Sequence, residues 1–131
     1  MNGLVVKNTG NHVWVRFADG QTQTCKVKGN FRIRSIRSTN PVVVGDIVEV
    51  DDNNQISDIL PRKNHIARRP VNLSRQIHII AANIDVALLV VTLRNPETSL
   101  TFIDRFIASA EAYSVETTLV FNKLDILDKK D

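Results

Sequence analysis

All five glycines of this 131-residue chain (Gly3, Gly10, Gly20, Gly29 and Gly45) lie within its first 45 positions. Glycine adopts positive φ without steric cost and lets a ligand come close to the backbone. Tight turns and glycine-rich cradles are therefore confined to the first third of the chain. Residues 46–131 hold no glycine, and no Gly-x-x-x-x-Gly-Lys-Ser/Thr phosphate loop occurs anywhere. The two parts must fold by different rules.

The glycine-bearing part reads as short strands punctuated by turns. Gly3–Asn8 is an apolar strand ending at Thr9-Gly10-Asn11. His12–Phe17 alternates, with Val13, Val15 and Phe17 on one face and Trp14 and Arg16 on the other. Asp19-Gly20 supplies a tight hairpin turn, and Gln21–Val27 follows as a polar strand with Cys25 and Val27 inward. Gly29–Arg37 is basic and reads as a short helix or a loop. Val42-Val43-Val44 is bracketed by Pro41 and Gly45-Asp46. Ile47–Val50 and Gln55–Leu60 are strands joined by a turn at Asp52-Asn53-Asn54. Strands at this spacing predict a small antiparallel barrel or sandwich. Pro61–Ser74 is basic, contains Pro61 and Pro70 and does not alternate, so it reads as a linker with a domain boundary near residue 70.

After the linker the pattern changes. Ile84–Leu93 is continuously apolar, the form of a strand buried on both faces of a parallel sheet. Asn95-Pro96 breaks it. Ser99 or Thr101 can cap a helix whose apolar positions Leu100, Ile103, Phe106, Ile107 and Ala110 follow helical spacing. Thr117–Phe121 is a second buried strand. A βαβ unit with a right-handed crossover is predicted. Two strands and one helix cannot cover both faces of a sheet.

Composition narrows the function classes. With 43% hydrophobic and 24% charged residues, the chain is of the soluble, folded kind. Its longest apolar run falls short of the ~20 residues a membrane helix needs. No charged-then-apolar leader opens it, and a single cysteine, Cys25, excludes an internal disulfide or a multi-Cys zinc site. A reducing, cytoplasmic setting away from membranes is expected. The net charge of +3 hides a division. Residues 1–75 carry 12 Lys+Arg against 6 Asp+Glu, and residues 76–131 carry 5 against 8. The first part is the one fitted to a polyanion.

Asn122-Lys123-Leu124-Asp125 follows the second buried strand. Ligands of doubly wound sheets bind at the carboxyl ends of strands, and these residue types suit guanine. The Asp125 carboxylate can accept from guanine N1–H and N2–H₂ together, a charge-assisted bidentate bond that adenine cannot make. The Asn122 amide can reach the base or brace neighbouring loops. The alkyl stem of Lys123 can lie along the base while its ammonium stays hydrated. The plain alternative is a polar turn in which Asp125 caps a following helix. His12, His65 and His78 lack metal spacing, Cys25 reads as a small core residue, and Asp51-Asp52 as a solvated bend.

The chain resembles the bacterial ribosome small subunit-dependent GTPase A family, circularly permuted GTPases that assist late maturation of the 30S subunit. The matching stretches are Gly3–Val6, Cys25–Arg32, Thr39–Val50, Arg69–Asn72, Asp104–Phe106 and Asn122–Asp125, in the family's order. The resemblance implies an OB-fold β barrel over residues 1–70. A partial α/β P-loop-type GTPase domain over 71–131 would open with Asn122, Lys123, Leu124 and Asp125 as nucleotide-binding residues. A permuted order puts the phosphate loop, the Mg²⁺-binding switches and a zinc module beyond Asp131, which makes the chain a family fragment. No catalytic or metal residue is then expected here, and the chain alone should neither hydrolyse GTP nor bind it tightly. GTP or GDP with Mg²⁺, and zinc, are expected only of the full-length protein.

The resemblance also implies 16S rRNA and the 30S subunit as partners, with the chain a monomer. OB barrels bind single strands with a positive groove and stacking aromatics. The candidates are Lys26, Lys28, Arg32, Arg34 and Arg37, with Trp14 and Phe31 as platforms. The competing class is a stand-alone OB-fold RNA-binding module without nucleotide chemistry.

Overall fold

The computed structural model describes residues 1–29, 41–68 and 78–128, which form two compact units, Met1–Ile84 and Asp85–Asp131. The first unit is built on β1 (Asn2–Asn8), β2 (Val13–Arg16), β3 (Thr22–Val27), β4 (Ile47–Val50) and β5 (Gln55–Ile59). They close into a barrel in the order β1-β2-β3-β5-β4, antiparallel throughout except for the parallel pair β3–β5. This is the OB-fold order. Alternation dictates what lies inside: Val5, Val13, Val15, Phe17, Cys25, Val42, Val48, Val50 and Ile56 form the core, with Val27 and Ile59 packed against it. Burial, with the nearby Asp51 charge second, pushes the Cys25 thiol above its ordinary value, as suits a core residue rather than a nucleophile.

The segment read as a linker holds a strand. Within the same unit, β6 (His65–Arg68) pairs antiparallel with β7 (His78–Ala82). These strands are short, with a bulge between Ile66 and Ala67, so alternation does not announce them. The turn at residues 41–46 fixes the pair to the barrel. Ala82 N–H donates to the Val44 carbonyl at 2.9 Å and the Asn83 amide donates to the Gly45 carbonyl at 2.8 Å. Gly45 sits at φ +95, and a Cβ there would lie 1.9 Å from the Ala82 carbonyl oxygen. Only glycine fits.

Beneath that turn Asp46 is fully buried, its carboxylate gripped by Arg62 at 2.6 and 2.7 Å and by Val43 N–H at 2.9 Å. Arg62 also donates to the Pro41 carbonyl. A residue expected in a solvated linker is thus the counter-ion of the barrel's one buried carboxylate among the described residues.

The second unit comprises β8 (Ala87–Thr92), α1 (Leu100–Ala112) and β9 (Thr117–Asn122), followed by a single 3₁₀ turn at Leu124–Ile126. β8 and β9 are parallel, in register from Ala87 opposite Thr117 to Thr92 opposite Asn122. Ser99 caps α1 by accepting from Phe102 N–H. Ile103, Phe106 and Ile107 are half-buried and Ala110 is buried, whereas Leu100, expected on the same stripe, is exposed. β8 is not buried on both faces. Ala87, Leu89 and Val91 are inside while Leu88 and Val90 remain 63% and 58% exposed.

Candidate functional site

The carboxyl ends of β8 and β9 lie side by side, because the parallel register runs through to Thr92 and Asn122. Beyond Thr92 the chain makes a closed loop. Thr98 N–H donates to the Thr92 carbonyl at 2.8 Å, Thr92 N–H donates to Thr98 Oγ1 at 2.9 Å, and the Thr92 hydroxyl bonds to the Pro96 carbonyl. Beyond Asn122, Lys123 takes left-handed backbone angles (φ 57, ψ 38) before the 3₁₀ turn. For a residue with a Cβ that conformation costs about 1 kcal/mol or more, strain of the kind that gathers at functional sites. Lys123 Nζ reaches across to the Asn95 carbonyl at 2.8 Å. The ammonium expected to stay hydrated is therefore an anchor between the two strand-end loops.

Asn122 and Asp125 are exposed, and neither side chain bonds to another described residue. The 3₁₀ turn has no side-chain cap, so Asp125 is not spent as a helix cap. A fixed backbone thus presents one free carboxylate and one free amide at the end of a parallel sheet. Chemically, the set can accept from two adjacent N–H donors and donate to one acceptor.

The nucleic-acid candidates divide. Phe31, Arg32, Arg34 and Arg37 lie outside the described residues. Lys26 is exposed on β3. Lys28 is paired with Asp51 at 2.8 Å. That bond, with the Gln55 backbone N–H next, holds the Asp51 carboxyl below its ordinary value. Asp51 also accepts from the Asn53 and Gln55 N–H groups, and so ties the β4–β5 turn rather than forming a free bend.

Trp14 is half-buried on the outer side of β2, between the inward Val13 and Val15. Lys7 lies opposite it in the β1–β2 register, with Nζ 4.8 Å from the ring centroid, and the His12 ring stands 6.3 Å away. Arg16 is exposed two residues further on. Lys7, His12 and Arg16 were not among the sequence candidates, although pairing β1 with β2 across the Thr9–His12 turn would have set Lys7 beside Trp14. Among the described residues no group of three or more His, Cys, Asp or Glu could hold a metal, and no helix is long and apolar enough to cross a membrane.

Comparison with known proteins covers both units. A family profile described as "RsgA N-terminal domain" matches residues 2–58, and one described as "RsgA GTPase" matches residues 59–131. The "Small ribosomal subunit biogenesis GTPase RsgA" of Phocaeicola vulgatus is 55% identical over all of this chain, which corresponds to 44% of that protein. The chain thus spans less than half the length of the curated relatives it matches. Among solved structures, YjeQ from Thermotoga maritima aligns with a TM-score of 0.72 and 36% identity, covering 99% of this chain and 44% of that one. YloQ, described as a circularly permuted GTPase, aligns with a TM-score of 0.67 at 24% identity, and supports the fold alone.

Proposed function

The chain belongs to the RsgA GTPase family, and from that premise we propose that it supplies the RNA-facing barrel and the guanine-reading corner of a cytoplasmic GTPase that acts in small ribosomal subunit maturation. The observation that carries the reading is the pair Asn122 and Asp125, unengaged on a strained backbone at the end of β9. Asp125 takes both guanine donors and so selects against adenine. Asn122 supports the base or its loop. Lys123 holds the 93–98 loop through Asn95 while its stem flanks the base. The barrel strands β1–β5 serve RNA and the second unit opens the nucleotide domain.

Phosphoryl transfer depends on a phosphate cradle, its lysine and Mg²⁺. None of the described residues offers such a set, so the cradle, Mg²⁺ and the zinc module are assigned to the whole protein rather than to these residues. Lys26, Lys28, Trp14 and the cationic stretch Phe31–Arg37 are assigned to 16S rRNA on the 30S subunit, with the protein acting as a monomer.

The test has two arms. Titrated with a fluorescent guanine nucleotide, this chain alone should show no micromolar binding and no hydrolysis. A chimera in which it replaces the corresponding part of the Phocaeicola vulgatus relative should hydrolyse GTP. There Asp125→Ala should weaken GTP binding roughly 10- to 100-fold, the value of hydrogen bonds to a charged group. Tight binding by the isolated chain, or an Asp125→Ala chimera with unchanged affinity, would overturn the assignment.

A further inference from the structure

Just past the ends of β8 and β9, two residues with a Cβ hold positive φ, Asn95 at 51 and Lys123 at 57. Such backbone is disfavoured for every residue but glycine, and asparagine is one of the few that adopts it at moderate cost. One bond joins the pair, from Lys123 Nζ to the Asn95 carbonyl at 2.8 Å. Charge does not account for it. Glu97 is exposed two residues further along the same loop, yet Lys123 pairs with no acid among the described residues. The ammonium takes a neutral carbonyl because the loop aims that carbonyl at it.

The aim is set from both sides of Asn95. Upstream, Thr92 ends β8 in register with Asn122. Downstream, Thr98 turns back on Thr92: its N–H donates to the Thr92 carbonyl and its Oγ1 accepts from the Thr92 N–H. Between them the Thr92 hydroxyl bonds to the Pro96 carbonyl, and Ser99 then caps α1. The loop is therefore pinned to the last residue of one strand and the first turn of the helix. Lysine is among the side chains with most rotamer freedom to lose when a ligand packs on it. Here that freedom is restricted beforehand, which raises affinity without any new contact to the ligand.

We propose that Asn95 is a positioning residue for the guanine nucleotide. It acts through Lys123: its left-handed backbone aims the carbonyl that holds the lysine stem in place against the base. The inference rests on the assignment of Asn122–Asp125 to guanine and adds the residue that fixes the lysine.

A double-mutant cycle in the chimera with the Phocaeicola vulgatus relative tests it. Asn95→Val, whose branched Cβ disfavours positive φ, should raise the Kd for GTP and GDP alike by about 10-fold, the low end for a hydrogen bond to a charged group. Asn95→Gly keeps positive φ without steric cost and should stay within about 2-fold of wild type. Lys123→Met keeps the apolar stem, removes the ammonium and should lose about as much as Asn95→Val. If Asn95 works through that ammonium, adding Asn95→Val to Lys123→Met should cost less than about 2-fold more. In Asn95→Val the KM for GTP should rise with the Kd while kcat holds, the signature of a binding contact equal in ground and transition states. Unchanged Kd in Asn95→Val, an Asn95→Gly chimera equally weak, or additive losses in the double variant would overturn the proposal and leave the guanine assignment standing. A kcat that falls together with the far-UV circular dichroism would place Asn95 in the fold instead, and overturn it too. An Asp125→Ala chimera with unchanged affinity would overturn both.

Discussion

The two units draw on the same aliphatic side chains and use them differently. In the barrel the sheet closes on itself, so Val15, Val48 and Ile56 each meet inward side chains from other strands and are fully buried. In the second unit β8 and β9 have one helix beside them. Leu89 and Val91 are buried, while Leu88 and Val90, equally apolar and one residue away, are mostly in solvent. Closure, rather than hydrophobicity, decides which valines and leucines stabilise this chain.

The largest expected effect tests whether the barrel unit is held by more than its aliphatic core. Arg62→Ala leaves the Asp46 carboxylate buried with only the Val43 N–H for company. Breaking one partner out of a buried pair typically costs about 3–5 kcal/mol. Urea unfolding followed by Trp14 emission should show a loss of that size. A loss below about 1 kcal/mol, the worth of a surface ion pair, would mean the pair is solvated and the comparison too sharp.

The second prediction uses neighbouring leucines as each other's control. Leu89→Ala should destabilise the second unit by about 2–5 kcal/mol, as deletions from packed sites do. Leu88→Ser should stay within about 0.5 kcal/mol, as for an ordinary surface change. Hydrogen exchange of the Val90 and Val91 amides measures both. Equal losses would show that the Leu88 face is covered after all.

What was legible in the sequence follows the same line. Alternation through Val13, Val15 and Phe17 marks β2, and the two capping residues Ser99 and Thr101 mark the start of α1 to within two positions, Ser99 being the cap used, because each signal is local. β6 and β7 escape because neither alternates and each needs a partner beyond the nine residues that separate them, from Arg68 opposite His78 to His65 opposite Ala82. The Arg62–Asp46 pair was hidden in the same way, joining residues 16 apart that meet only once the 41–46 turn is in place. At the candidate site the residue types at 122–125 were readable. The left-handed Lys123 and its bond to Asn95 were not, since they depend on how two loops close at adjacent strand ends. Leu100 was placed on the packed stripe by periodicity alone, but α1 packs through its later turns.

The smallest effect separates the units by pH. All three histidines (His12, His65 and His78) fall in the barrel unit, and residues 85–131 contain none. Burial, with the Arg62 charge second, holds His65 below its ordinary value of 6.5. Between the lowered folded value and 6.5 the unfolded chain binds more protons than the native one. The stabilisation from neutral His65 is therefore complete above pH 6.5 and is lost as pH falls below it. Asp51 works in another window, because its lowered value keeps its contribution intact until pH drops below about 3.8. Between pH 7.5 and 5.5 the urea midpoint read by Trp14 should fall modestly, and His65→Gln should flatten that fall. Exchange of the Val90 and Val91 amides, corrected for intrinsic rates, should report unchanged stability of the second unit over the same range. A second unit that weakens in step with the first would show that the two share one cooperative transition, and the contrast between closed barrel and open sheet would then not extend to their stabilities.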